Sequence, residues 1–161
     1  NHDSLTGLPN RRMLFELADK AIEVSKRSGD KVGLMFMDLD NFKPINDEMG
    51  HNAGDSALVA VAERLQQLVR TSDIVSRIGG DEFVIILTNI KNLRDIEIVA
   101  KKILKEFEKP LSFSECTKTI NMSMGISVYP ENGNTVDELI IKADSVMYRI
   151  KHGIKNSYAF A

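Results

Sequence analysis

Apolar residues recur with two periods along this 161-residue chain, and the switches between the periods mark its elements. Leu14, Leu17, Ala18, Ala21 and Ile22 follow a helical repeat that Gly29-Asp30 closes. Residues 32–40 are instead apolar at successive positions until they meet Asp38 and Asp40, as expected of a central strand covered on both faces. A tight turn and a short helix over about 42–48 follow, with Pro44 tolerated in a first turn whose N–H groups lack intrahelical partners. Beyond a polar turn at 47–54, Asp55 is expected to open a longer helix striped by Leu58, Val61, Ala62, Leu65 and Leu68. Ile74, Val75 and Ile78 lead into Gly79-Gly80, and Phe83 to Leu87 lead out, so the glycines fall where a hairpin reverses. Ile96, Val99, Ala100, Ile103 and Phe107 mark another helix, stopped by Pro110. Residues 117–129 read as one or two strands with Ile120, Met122, Met124, Ile126 and Val128 on one face. Thr135 and Glu138 have capping-box spacing before a last helix through Leu139, Ala143, Val146, Met147 and Ile150. The irregular alternation implies an α+β domain with a central, largely antiparallel sheet flanked by helices.

Composition narrows the class. A chain of this length with 43% hydrophobic residues can core one domain, 1–161, and is short for two. A net charge of -2 and a pI near 6.0 argue against a nucleic-acid polymer or a membrane surface as partner, so positive charge for a phosphate ligand must be local. The lone Cys116 excludes an internal disulfide and fits a reducing, cytoplasmic compartment. No apolar run reaches membrane-span length and no signal peptide is evident. Because the chain opens on Asn1, it is expected to be a piece of a longer protein, whose other parts can carry a membrane anchor.

The acidic residues change the picture further. Gly79-Gly80-Asp81-Glu82 alone reads as a hairpin with a solvated acidic tip, but Asp38 and Asp40 supply a second acidic pair, on one face of their strand. Were the hairpin to pair beside that strand, Asp38 and Asp81 would converge, and carboxylates about 4 Å apart repel by roughly 4 kcal/mol at an effective dielectric near 20. A divalent cation relieves that repulsion, and hard oxygen ligands with room for substrate phosphates suit magnesium. Asp40 is read as the cap of the short helix rather than a ligand. Backbone N–H groups around Asn41 to Lys43, with a helix start behind them, form a candidate phosphate cradle. Taken alone, Asp55 is an ordinary first-turn helix acid. His51 is read as structural. Arg70 and Asp73 serve equally as a helix end and a turn.

Taken together, Asp38-Leu39-Asp40-Asn41-Phe42-Lys43, Ile45-Asn46-Asp47, Gly50-His51, Gly54-Asp55 and Gly79-Gly80-Asp81-Glu82-Phe83 resemble the GGDEF domains of diguanylate cyclases. The resemblance runs from Asp3-Ser4-Leu5-Thr6-Gly7-Leu8-Pro9-Asn10 to Ala143-Asp144, Met147-Tyr148, Lys151 and Lys155-Asn156. It implies a ferredoxin-like, polymerase-palm-type core with an active-site β-hairpin, and condensation of two GTP into cyclic di-GMP with release of two pyrophosphates. It further implies two magnesium ions per site, with manganese as a substitute, held by Asp38, the Leu39 carbonyl and Asp81. Asp81 would help deprotonate the attacking hydroxyl and Glu82 would support the cluster. Phe42 and Lys43 would take the β and γ phosphates, Asn46 and Asp55 the base, and Lys151 and Lys155 the terminal phosphates. Arg70 and Asp73 match the Arg-x-x-Asp site at which cyclic di-GMP inhibits these enzymes. Each domain holds one GTP, so a homodimer is implied. Two departures stand out: a lysine where arginine is common at the terminal basic pair, and Gly153-Ile154, which shifts the usual glycine by one. The same residues also suit a GTP-binding regulatory module, joined to a phosphodiesterase or another signalling protein and without turnover.

Overall fold

The computed structural model describes residues 1–161. Its elements in order are α1 (Arg11–Ser28), β1 (Lys31–Leu39), α2 (Lys43–Met49), α3 (His51–Leu68), β2 (Ile74–Gly79), β3 (Glu82–Ile90), α4 (Leu93–Glu106), β4 (Leu111–Phe113), β5 (Cys116–Lys118), β6 (Met122–Tyr129), α5 (Val136–Lys151) and β7 (Tyr158–Phe160). The main sheet has the order β2-β3-β1-β6-β7. It is antiparallel throughout except for the β6–β7 pair, while β4 and β5 form a separate hairpin. Within this, β1-α3-β2-β3-α4-β6 is a β-α-β-β-α-β run with the strand order of a ferredoxin-like core. The expected α+β sheet is therefore present, made mixed by β7 at its edge.

Both faces of the sheet are covered, which explains the unbroken apolar run of β1. Met35, Met37 and Leu39 point into a core shared with Ala57, Val61 and Leu65 of α3 and Ile96, Ala100 and Ile103 of α4. Val32, Leu34 and Phe36 point the other way, against Leu14, Ala18 and Ile22 of α1 and Leu139, Ala143 and Met147 of α5. Burying side chains of this size contributes about 1.5–3 kcal/mol each, so the two-sided core fixes the level of every strand in the sheet. On β6, Gly125 allows an especially close approach of α5: a Cβ there would lie 2.0 Å from the Ala143 carbonyl oxygen.

The helix ends follow local chemistry. Asn10 accepts from the Met13 N–H to start α1, and Gly29 ends it in the left-handed region. Thr135 accepts from the Glu138 N–H to start α5. Two expectations are corrected. The polar stretch 47–54 is helix rather than turn: Gly50, at φ +90°, breaks the axis, and α3 restarts at His51, so Asp55 lies one turn inside α3 instead of opening it. Asp40 caps no helix; α2 begins without a side-chain cap.

Candidate active site

The hairpin tip and the end of β1 meet as the sequence predicts. Glu82 is in register opposite Asp38, and the Leu39 N–H donates to the Asp81 carbonyl at 3.3 Å. Gly80, at φ +44°, makes the reversal that presents Asp81. Burial pushes the Asp81 carboxyl up to about 6, helped by repulsion from Asp38 and the hydrogen bond a protonated Asp81 can share with it. Glu82 is raised by burial and then by Asp38, Asp144 and Asp81, with Arg11 pulling the other way. Asp144, raised by burial and by Asp38, is a fourth member of this acidic group that the sequence reading did not single out. Besides Arg11, a second cation meets this group: Lys151 Nζ donates to Asp38 Oδ1 at 2.7 Å and to the Leu39 carbonyl at 2.8 Å.

The donor set fits a hard divalent cation. Asp38, Asp81 and the Leu39 carbonyl offer oxygen only, and the Lys151 ammonium marks a point on which two of those oxygens converge around one positive charge. No three acidic, histidine or cysteine side chains close into a cage of their own.

Beside the acids lies a cleft of about 290 Å³ that gathers Phe42, Lys43, Asn46, Asp55 and Asp81, five of the residues expected to serve one nucleotide. The ring of Phe42 belongs to the core. Gly54 brings Asn46 against α3, since a Cβ at 54 would stand 1.7 Å from Asn46 Oδ1. His51 also lines the cleft. So does Arg77, to which the sequence alone gives no role: its Nε donates to the Gly80 carbonyl at 2.9 Å and its Nη1 to Asp3 Oδ1 at 2.8 Å, tying the hairpin tip to the first residues of the chain. Burial alone would raise Asp3, but hydrogen bonds from Thr6 and the Arg77 charge outweigh it and hold that carboxyl below its ordinary value. A larger hollow of about 790 Å³, beside Arg11, Phe15, Ile78 and Asp137, contains none of the expected site residues.

Asp40 has a different task from the one expected. It is buried, accepts from Ser123 Oγ at 2.8 Å and from the Asn156 N–H at 3.0 Å, and so fastens β6 and the segment after α5 to the end of β1. Lys155 is exposed in that segment, whereas Lys151 is at the acids. Arg70 and Asp73 lie across the molecule, at the other end of the six-residue β2 from Asp81, about 20 Å away by strand rise. The Asp73 carboxylate is 2% exposed and accepts from Arg70 Nη2 at 2.9 Å and from the Thr88 N–H at 3.1 Å; Arg70 also donates to the Thr88 carbonyl. The guanidinium, half exposed, borders a hollow of about 310 Å³ with Gln66 and Val75.

The family model described as "Diguanylate cyclase, GGDEF domain" matches residues 1–157. The chain belongs to the GGDEF family. It is 41% identical over 159 residues to the bifunctional diguanylate cyclase/cyclic di-GMP phosphodiesterase MucR of Pseudomonas aeruginosa, covering 99% of this chain and 23% of MucR. It is 36% identical to the diguanylate cyclase TpbB of the same species, of which it spans 37%. The solved GGDEF domain of TpbB superposes with a TM-score of 0.96, covering 100% of this chain and 94% of that one. The GGDEF domain of DgcB from Caulobacter crescentus, solved in complex with c-di-GMP, is 25% identical with a TM-score of 0.87, over 99% of this chain and 94% of its own. This GGDEF domain thus spans well under half the length of MucR and TpbB. No helix in it is long and apolar enough to cross a membrane.

Proposed function

We propose that this GGDEF domain is a diguanylate cyclase, joining two GTP into cyclic di-GMP and releasing two pyrophosphates. The observation that carries the reading is the single cleft in which Asn46 and Asp55, chemically suited to guanine, share walls with Phe42, Lys43 and Asp81. Asp55 accepts from the guanine N1–H and 2-amino group, Asn46 completes the base contacts, and Lys43 neutralises phosphate charge. Lys151 and Lys155 serve the terminal phosphates. Bound magnesium, or manganese in its place, held as two ions by Asp38, the Leu39 carbonyl and Asp81, would stabilise charge on the attacking and leaving oxygens. Asp81, at the hairpin tip beside Asp38, is the group proposed to help accept the proton of the attacking 3′-hydroxyl. Glu82 supports the cluster opposite Asp38. Each 3′-hydroxyl attacks the α-phosphate held by the other domain, so the working unit is a two-fold homodimer in the cytoplasm. Arg70 and Asp73 bind the product, the guanidinium offering a planar fork to phosphate or a face to guanine.

Incubation of the protein with GTP and magnesium, followed by chromatography, tests this. Cyclic di-GMP and pyrophosphate are expected from GTP, nothing from ATP, and strong loss in Asp81→Ala. A folded dimer that binds GTP and yields no product would instead support the second reading, a GTP-sensing regulatory module. One observation favours that alternative: Lys151 closes over the metal donors.

A further inference from the structure

Lys151 is the last residue of α5, and its ammonium is held by two of the oxygens assigned above to the divalent cation, Asp38 Oδ1 and the Leu39 carbonyl. The contact is sheltered, with 27% of the lysine side chain and 15% of the aspartate side chain exposed. An ammonium satisfies these acceptors with two of its three hydrogens. A magnesium ion would draw on the same two oxygens at about 2.0–2.1 Å. An ammonium and a divalent ion drawing on the same two oxygens would lie close together and repel, so each weakens the other's hold on Asp38 and Leu39.

We propose that Lys151 is a built-in cation that keeps the Asp38–Leu39 donors occupied in the nucleotide-free protein and yields them when nucleotide phosphates offer it another anionic partner. Removing the lysine without supplying a metal leaves Asp38 and Asp81 facing one another without the cation that offsets their charge. The exchange asks little of the fold. Lys151 stands at a helix C-terminus, where positive charge is favoured whichever anion it contacts, and residues 152–155 beyond it are exposed. Nucleotide and metal then bind with positive coupling beyond what shared coordination gives, and the protein without nucleotide has little hold on divalent ions. This inference rests on the metal-site reading above, and its test separates the two.

Manganese binding to the full chain, followed by the electron paramagnetic resonance of the free ion, is measured without nucleotide and with a non-hydrolysable GTP analogue. Parent, Lys151→Met, which keeps the apolar stem, and Lys151→Arg, which keeps the charge, are compared, together with thermal unfolding in chelator. Without nucleotide, Lys151→Met should bind manganese about tenfold or more tighter than the parent, the size expected for losing one sheltered competing ion pair, while Lys151→Arg stays weak. In chelator, Lys151→Met should melt below the parent and recover more on adding manganese. Equal nucleotide-free affinities in parent and Lys151→Met, with both binding manganese beside the analogue, would overturn the inference and leave the metal site standing. Absence of manganese binding in every protein, analogue included, would overturn both. Should Lys151→Met fail to fold, Lys151→Gln carries the same comparison.

Discussion

Asp81→Asn should make the metal-free protein more stable at neutral pH while destroying its catalysis. Asp81 is half-buried beside Asp38, and its carboxyl is raised from 3.8 to about 6, first by burial and then by that neighbour. Between about pH 4 and 6 the folded protein binds more protons at this group than the unfolded chain does. The Asp81 contribution to stability therefore falls as pH rises through that window and stays low above it. A shift of about 2 pKa units corresponds to about 3 kcal/mol for a fully enclosed group; solvent screening of a half-exposed one reduces this to about 1–2 kcal/mol. Removing the charge in Asp81→Asn should recover that amount at pH 7.5, or about 2–8 °C in Tm for a domain of this size, and almost nothing at pH 4. Thermal unfolding of parent and variant in chelator across pH 4–8 makes the comparison, and added magnesium should then raise the parent's Tm more than the variant's. An Asp81→Asn protein no more stable than the parent at pH 7.5, or stabilised equally at pH 4 and 7.5, would refute the repulsive acidic centre on which the metal assignment rests.

Four other substitutions probe separate parts. Asp55→Asn turns an acceptor toward guanine into a partial donor and should cost about 1–3 kcal/mol of GTP binding, measured by calorimetry alongside ATP. Gly54→Ala drives a methyl into Asn46 Oδ1 and should weaken GTP affinity by displacing that amide, while circular dichroism shows the helices retained. Asp40→Ala leaves Ser123 Oγ and the Asn156 N–H without their acceptor and should lower unfolding stability by about 2–4 kcal/mol in urea titrations. Arg70→Ala should leave the initial GTP rate nearly unchanged and weaken inhibition by cyclic di-GMP, as expected for two sites coupled by about 1–3 kcal/mol; equal inhibition of parent and variant, or inhibition relieved by GTP alone, would remove Arg70 from a product site.

What could be read from the chain divides by the range of the interactions. Periodicity located α1, β1, the β2–β3 hairpin, α4, β6 and α5, because each is long enough to show a stripe or an apolar run. The three-residue strands β4 and β7 carry no period, and the parallel pairing of β7 with β6 depends on a chain return that no local pattern announces. The start of α3 was hidden because Gly50 and Gly54 carry the composition of a turn, although one breaks an axis and the other admits Asn46. Local pattern points Asp40 at the nearest helix, whereas its partners, Ser123 and Asn156, are 83 and 116 residues away. Arg77 gets no role from local pattern for the same reason, its partner Asp3 being 74 residues distant. Asp38, Asp81 and the cleft residues come together because β1 and the hairpin tip, both strongly patterned, do the placing.

The missing side chain at Gly125 works like the thickness of a shim. It sets how closely α5 lies on β6, with the Ala143 carbonyl and the Met147 amide against the strand, and one further turn of that helix ends at Lys151. A methyl group at 125 would lift the helix and carry the ammonium away from Asp38, although residue 125 touches none of the acids. Misplacement by about 1 Å can cost a reacting group about a hundredfold in rate. Mutational scans that score only distance from the acids would pass over this position, and an engineer retuning the grip of Lys151 on Asp38 has here a way to do so from outside the cleft.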